Sequence, residues 1–138
     1  MNKYIYTTLM VFFLLGCTSE ISDEEKLEKF LKSYNTEYSL KTFNSIIVIN
    51  EDDGCLSCIN LFASEHEKQL LQDENLFIIS ATGSKIDISA FILDSLKNVL
   101  WDSKMEFSKL NILPKSGTIQ LDENGKIIKK EISPFLKE

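Results

Sequence analysis

Arginine is absent from the 138 residues, histidine occurs once and proline only twice. Without Arg the chain has no guanidinium fork for two-point recognition of phosphate or carboxylate. A single His excludes a histidine-rich metal site and any two-histidine mechanism. Positive charge is also scarce. The 15 Lys face 21 acidic residues, a net charge of −6, which argues against the basic face that a nucleic-acid binder needs to neutralise phosphates. No apolar run approaches the roughly 20 residues that span a bilayer. What is present is a globular composition, 43% apolar and 26% charged, of a size for one compact domain. The three Cys remain to be explained.

The first of them closes the N-terminal segment. Lys3 precedes an apolar run from about Leu9 to Leu15, which fits the h-region of a secretory signal peptide. Leu14-Leu15-Gly16-Cys17 resembles the bacterial lipobox, in which a small residue precedes the cysteine that becomes lipidated. That resemblance implies diacylglyceryl transfer to the Cys17 thiol, cleavage after Gly16 and acylation of the new N-terminus. Several acyl chains on one residue anchor far more firmly than one. The alternative is an ordinary thiol at the end of an apolar segment. Residues 18–25 are polar and acidic, with no Asp directly after Cys17. This resembles lipoproteins sent on to the outer membrane, and the acidic cluster also resembles the surface-export signal of Bacteroidetes lipoproteins. The expectation is a lipid-anchored protein of the bacterial cell envelope, at the outer membrane, with periplasmic and surface faces both open.

Three segments follow from this: a signal peptide over 1–16, a lipid anchor, tether and N-terminal helix over 17–39, and a folded domain over 40–138. Ser22 with Glu25 three residues on is a helix N-terminus signature, and Leu27, Phe30, Leu31 and Tyr34 predict a helix over about 23–34. Tyr38, Leu40 and Phe43 alternate as a strand would. Ser45-Ile46-Ile47-Val48-Ile49-Asn50 is uncharged and β-branched, the pattern of a central strand buried on both faces. A loop at 51–54 leads to Cys55-Leu56-Ser57-Cys58 and a helix to about Gln72. Residues 76–80 predict a second strand, 86–96 a short helix and 98–101 a third strand. Residues 118–121 and 126–128 predict a hairpin turning through Asp122-Glu123-Asn124-Gly125, with Asn124-Gly125 a pair in which both residues tolerate positive φ. A short helical turn is expected over 133–137. Strands alternating with helices argue for parallel pairing, with the hairpin adding antiparallel strands at one side.

A C-x-x-C between a buried strand and the first turn of a helix has a chemical logic. The helix N-terminus offers unpaired N–H groups and partial positive charge that stabilise a thiolate at Cys55. The first cysteine can attack a disulfide and the second can resolve the mixed intermediate. An exported address suits such a pair. Strand, loop, Gly54-Cys55-Leu56-Ser57-Cys58, helix, strand and late hairpin resemble the thioredoxin-like fold, an α/β fold with a central mixed sheet, flanking helices and a C-terminal hairpin. The chain is similar to small bacterial redox lipoproteins with that domain. The resemblance implies that Cys55 is the nucleophile and Cys58 the resolving thiol. It further implies a cis-proline facing the pair just before the terminal hairpin, and Pro114 is the candidate, although Lys115-Ser116-Gly117 intervene before the expected strand. No cofactor is implied. The partners implied are exported proteins with disulfides and the membrane; whether a membrane reductase recharges the pair stays open.

Other features cut against full activity or point elsewhere. The segment has Gly54 where thioredoxin has Trp, and Leu56-Ser57 where it has Gly-Pro. Glu51, Asp52 and Asp53 lie just upstream, and three carboxylates near the thiol would oppose thiolate formation, favouring a reducing or sluggish pair over a strong oxidant. An inert disulfide is the bland reading, yet so short a loop restrains the unfolded chain little. A structural zinc site needs four ligands, against the two unlipidated Cys and one His present, so zinc is the least favoured alternative. Peroxidases of this fold place Pro and Thr before the reactive cysteine and use an Arg, all missing here. His66 falls roughly 15 Å along the helix from Cys55, Trp101 reads as half-buried packing, and residues 81–84 lack the spacing and Lys of a phosphate loop. Asp52 and Asp53 have no apolar pocket to split their pKa values as a hydrolase dyad would. The reading is a lipid-anchored thiol–disulfide oxidoreductase, the alternative a non-catalytic lipoprotein of the same fold acting as a binding or envelope component.

Overall fold

The β-branched run Ser45–Asn50 forms β1, the middle strand of five, with Ile46 to Asn50 all buried. The computed structural model describes residues 21–53, 55–84, 86–87, 89–91 and 96–131. The leader 1–16, Cys17 and the tether up to residue 20, Gly54, residue 88 and residues 92–95 of the expected helix, and the expected tail turn lie outside these residues. β2 (Asn75–Ser80) runs parallel to β1 from Ser45↔Asn75 to Asn50↔Ser80. β3 (Val99–Asp102) runs parallel to β2, with Ile79 opposite Trp101. On the other side, β4 (Gly117–Leu121) is antiparallel to β1 and β5 (Ile127–Glu131) antiparallel to β4. The order β3-β2-β1-β4-β5 is a mixed α/β sheet compatible with the thioredoxin-like class.

Alternating side chains divide the core between the two faces. On one, Ile46, Val48, Leu76, Ile78, Leu100 and Ile119 meet helix α1 (Asp23–Tyr34) through Leu27, Phe30 and Leu31. Phe107, in the one-turn helix α3 (Glu106–Lys109), closes that cluster and stands edge-on to Phe30. On the other face Ile47, Ile49, Phe77 and Ile79 meet Ile59 and Ala63 of α2 (Leu56–His66). α1 thus shares one core with the strands. Its cap follows the sequence, Ser22 Oγ accepting the Glu25 N–H at 3.2 Å, while the Glu25 carboxylate meets Lys29 at 2.8 Å one turn on.

Three local expectations are revised. The Tyr38–Phe43 alternation is not a strand; Leu40–Thr42 is a 3₁₀ turn. Glu28 Oε2 accepts the Leu40 N–H at 2.9 Å and Ser39 Oγ accepts that of Lys41 at 3.4 Å, so this backbone is bonded to side chains rather than to a ladder. Between β2 and β3, Ser89–Phe91 is a 3₁₀ turn in the region of the expected helix. In the hairpin only Gly125 takes positive φ, at 78°. Asp122 Oδ1 gathers the N–H groups of Asn124 (2.9 Å) and Lys126 (2.8 Å), so Asp122 organises the expected 122–125 turn as an Asx-type loop in which Asn124 needs no positive φ.

Candidate functional site: the disulfide at the end of the central strand

β1 delivers the chain into a 3₁₀ turn over Glu51–Asp53, and Cys55 then caps α2. Its backbone is non-helical (φ −112°, ψ 86°), and its Sγ accepts the N–H of Cys58 at 3.3 Å. The spacing of three on the first turn brings the Cα atoms to 5.2 Å, and Cys55 and Cys58 are joined by a disulfide. Both are half-buried, while Leu56 between them is 46% exposed. The Ser57 hydroxyl lies 3.7 Å from Cys55 Sγ, and because that sulfur carries no proton in the disulfide, the hydroxyl is the donor. A thiolate formed at Cys55 on reduction would meet both donors and the positive end of α2.

The acidic loop is not uniformly solvated. Glu51 is 5% exposed and its carboxylate accepts from the Thr82 N–H, from Thr82 Oγ1 at 2.7 Å and from Ser84 Oγ at 3.2 Å. It ties the end of β1 to the loop after β2. Asp52 is exposed, and its N–H donates to Asn50 Oδ1 at 3.1 Å.

Pro114 reaches the same end of the sheet. Its carbonyl accepts from Asn50 Nδ2 at 3.2 Å. The implied cis bond is not found: among the described residues no peptide bond is cis, and trans is the ordinary isomer of X–Pro bonds. The physical reason lies in the two residues between Pro114 and β4. They let Ser116, not Pro114, occupy the place beside the end of β1, where Ser116 Oγ accepts the Asn50 N–H at 2.9 Å and lies 3.3 Å from its carbonyl.

Beneath the loop runs a buried polar chain. Ser108 Oγ donates to Asn50 Oδ1 at 3.2 Å and lies 3.3 Å from Ser80 Oγ, which donates to Asp102 Oδ2 at 3.0 Å. Asp102, fully buried at the end of β3, also accepts the Tyr34 hydroxyl at 2.8 Å and the N–H groups of Glu106 (2.9 Å) and Phe107 (2.7 Å). Burial and the bond to Asp102 hold the Tyr34 hydroxyl well above the ordinary phenol range.

Other candidates fall away from the pair. His66 lies at the far end of α2, with Nδ1 2.9 Å from the Phe62 carbonyl and its ring 4.1 Å from that of Phe62. Trp101, 46% exposed on edge strand β3, donates Nε1–H to the Ala81 carbonyl at 2.9 Å. Among the described residues no group of three or more His, Cys, Asp or Glu could hold a metal ion, and no helix is long and apolar enough to cross a membrane. Asn50 and Asp102 were not singled out from sequence, and Glu51 was weighed only as a charge near the thiol. The only signal was position, since each ends a strand or follows directly after one.

Fold and site together define a mixed α/β protein compatible with the thioredoxin-like fold, with a C-x-x-C disulfide following its central strand. No family model matches the chain, and no curated protein and no solved structure shows significant similarity to it.

Proposed function

We propose that the chain is a thiol–disulfide oxidoreductase of exported proteins, working in the reducing or exchanging direction and held to the envelope membrane through lipidated Cys17. The observation that carries the reading is Cys55 itself: it caps α2, is half-buried, and is bonded to Cys58 on the first turn.

In the forward step the Cys55 thiolate attacks one sulfur of a client disulfide, forming a mixed disulfide and expelling a client thiolate, which takes up a proton. Cys58, after losing its proton, attacks Cys55 Sγ, closes the internal disulfide and releases the second client thiolate. The client gains two electrons and the pair loses two. A dithiol reductant, of the class a membrane reductase supplies, returns them. Leu56, exposed between the cysteines, offers an apolar contact for an extended client strand, and Pro114, held to the end of β1 through Asn50, is the candidate for the other side of that groove.

The test is trapping in envelope fractions. Cys58→Ser should accumulate mixed disulfides through Cys55 that a thiol reductant releases, and the Cys55→Ser/Cys58→Ser double variant should accumulate none. If Cys58→Ser traps nothing, the chain is a binding or envelope component instead. Cys17→Ser should move the chain from the membrane to the soluble fraction, and unchanged membrane association would contradict the anchor.

A further inference from the structure

Asn50 is 1% exposed, and its side-chain amide reaches three separate segments. Oδ1 accepts the Asp52 N–H at 3.1 Å, fixing the first turn of the loop that leads to Cys55. The same oxygen accepts the Ser108 hydroxyl at 3.2 Å. Nδ2 donates to the Pro114 carbonyl at 3.2 Å, and the main-chain N–H donates to Ser116 Oγ at 2.9 Å. Four residues separate Asn50 from Cys55, so the register of the loop is set close to the sulfur it carries.

We propose that Asn50 is a positioning residue for disulfide exchange, its amide clamping the loop that bears Cys55 to Ser108 and to the Pro114 carbonyl. The inference rests on the proposed function, which it deepens. These bonds are seen with the disulfide closed. Cys55 is the cap of α2 and not within it, so the helix alone does not fix its sulfur. Loosening the loop lowers the effective concentration of one thiol at the other. The closed disulfide then loses stability relative to the dithiol, and the pair becomes easier to reduce.

A second buried amide supplies the control. Asn98 is 4% exposed and donates Nδ2–H to the carbonyls of Leu70 (3.2 Å), Gln72 (3.2 Å) and Asn75 (2.9 Å). It precedes β3 at the opposite end of the sheet from the pair. Asn98→Ala therefore removes a comparable set of buried hydrogen bonds without touching the Cys55 loop.

The experiment equilibrates the full chain, with Cys17 replaced by Ser so that only the pair titrates, against reduced and oxidised dithiothreitol, and counts free thiols. Dithiothreitol gives two electrons, becoming the cyclic disulfide, while Cys55–Cys58 becomes two thiols. Asn50→Ala should raise the equilibrium constant for reduction about tenfold, ~30 mV for a two-electron couple. Asn98→Ala should leave it within about twofold while lowering the denaturation midpoint by a similar amount. An unchanged constant in Asn50→Ala, or an equal shift in both variants, overturns the proposal. Should Asn50→Ala not fold, Ser108→Ala removes one contact of the clamp and is expected to shift the constant about threefold in the same direction; no shift there overturns it equally. A wild-type pair that dithiothreitol never reduces would instead overturn the proposed function.

Discussion

Cys55 Sγ accepts the backbone N–H of Cys58 at 3.3 Å while bonded to the sulfur of that same residue. The sulfur expected to attack a client is thus also the cap of α2. Reduction breaks the S–S bond and leaves the N–H donor in place, so the thiolate inherits the cap.

Ser57 adds a second donor to that sulfur, its hydroxyl lying 3.7 Å away. In the reduced protein Ser57→Ala should raise the Cys55 thiol pKa and slow iodoacetamide alkylation near neutral pH by about two- to threefold. An unchanged rate across the pH profile would show that the hydroxyl does not stabilise the thiolate.

Acid should loosen the contact between α1 and the hairpin. Glu24 Oε1 accepts the Ile127 N–H at 2.9 Å, and this bond first, with its own N–H, holds its pKa below the usual value. The bond to Lys129 does the same for Asp23, against some burial. Both folded-state values are depressed. Their stabilisation is therefore complete above the unfolded values, near 4, and is lost as pH falls through the folded ones. Denaturation midpoints at pH 6 and pH 3 should fall further apart in wild type than in Glu24→Gln. Equal falls in the two proteins would contradict the assignment.

Alkali acts through Tyr34. Its ring is 39% exposed, but its hydroxyl reaches buried Asp102, and burial followed by that bond raises its pKa. The unfolded chain releases this proton near pH 10 and the folded chain does not, so the contribution is present below pH 10 and is lost as pH rises beyond it. Tyr34→Phe should cost about 1 kcal/mol at neutral pH and flatten the decline in stability above pH 10. A wild-type stability curve level through that range would refute this.

How much of this was legible in the sequence follows from which physics is local. β1 could be read because a charge-free β-branched run has few other homes, and α1 because Ser22 and the Leu27, Phe30, Leu31 stripe agree. The Cys55–Cys58 site was visible because strand, loop and helix start converge on it. The roles of Asn50, Glu51 and Asp102 were not, because a polar residue at a strand end reads as solvated until its partners from distant segments are known. Glu51 meets Thr82 and Ser84, and Asp102 meets Tyr34, 68 residues away. Tyr38, Leu40 and Phe43 misled by alternating where side chains bond the backbone. Pro114 was found at the right end of the sheet, but the two residues after it give the place beside β1 to Ser116.

Gly117, the first residue of β4, has no room for a side chain. It is buried opposite Val48 and Glu131, and a Cβ there would stand 2.9 Å from Glu131 Cα and closer still to the Lys130 carbonyl. Those are backbone atoms, so β5 would have to move. Gly117→Ala should cost roughly 1–3 kcal/mol, read by urea denaturation; full stability would mean that the edge strand shifts freely.

The central claim is that Cys55 attacks and Cys58 resolves. The most direct measurement is the rate at which the full chain, with Cys17 replaced by Ser, accelerates dithiothreitol reduction of a protein disulfide. Wild-type C-x-x-C should accelerate it, Cys55→Ser should reduce the acceleration to background, and Cys58→Ser should stall as a mixed disulfide at Cys55. Acceleration that survives Cys55→Ser, or none from the intact pair, would contradict the account.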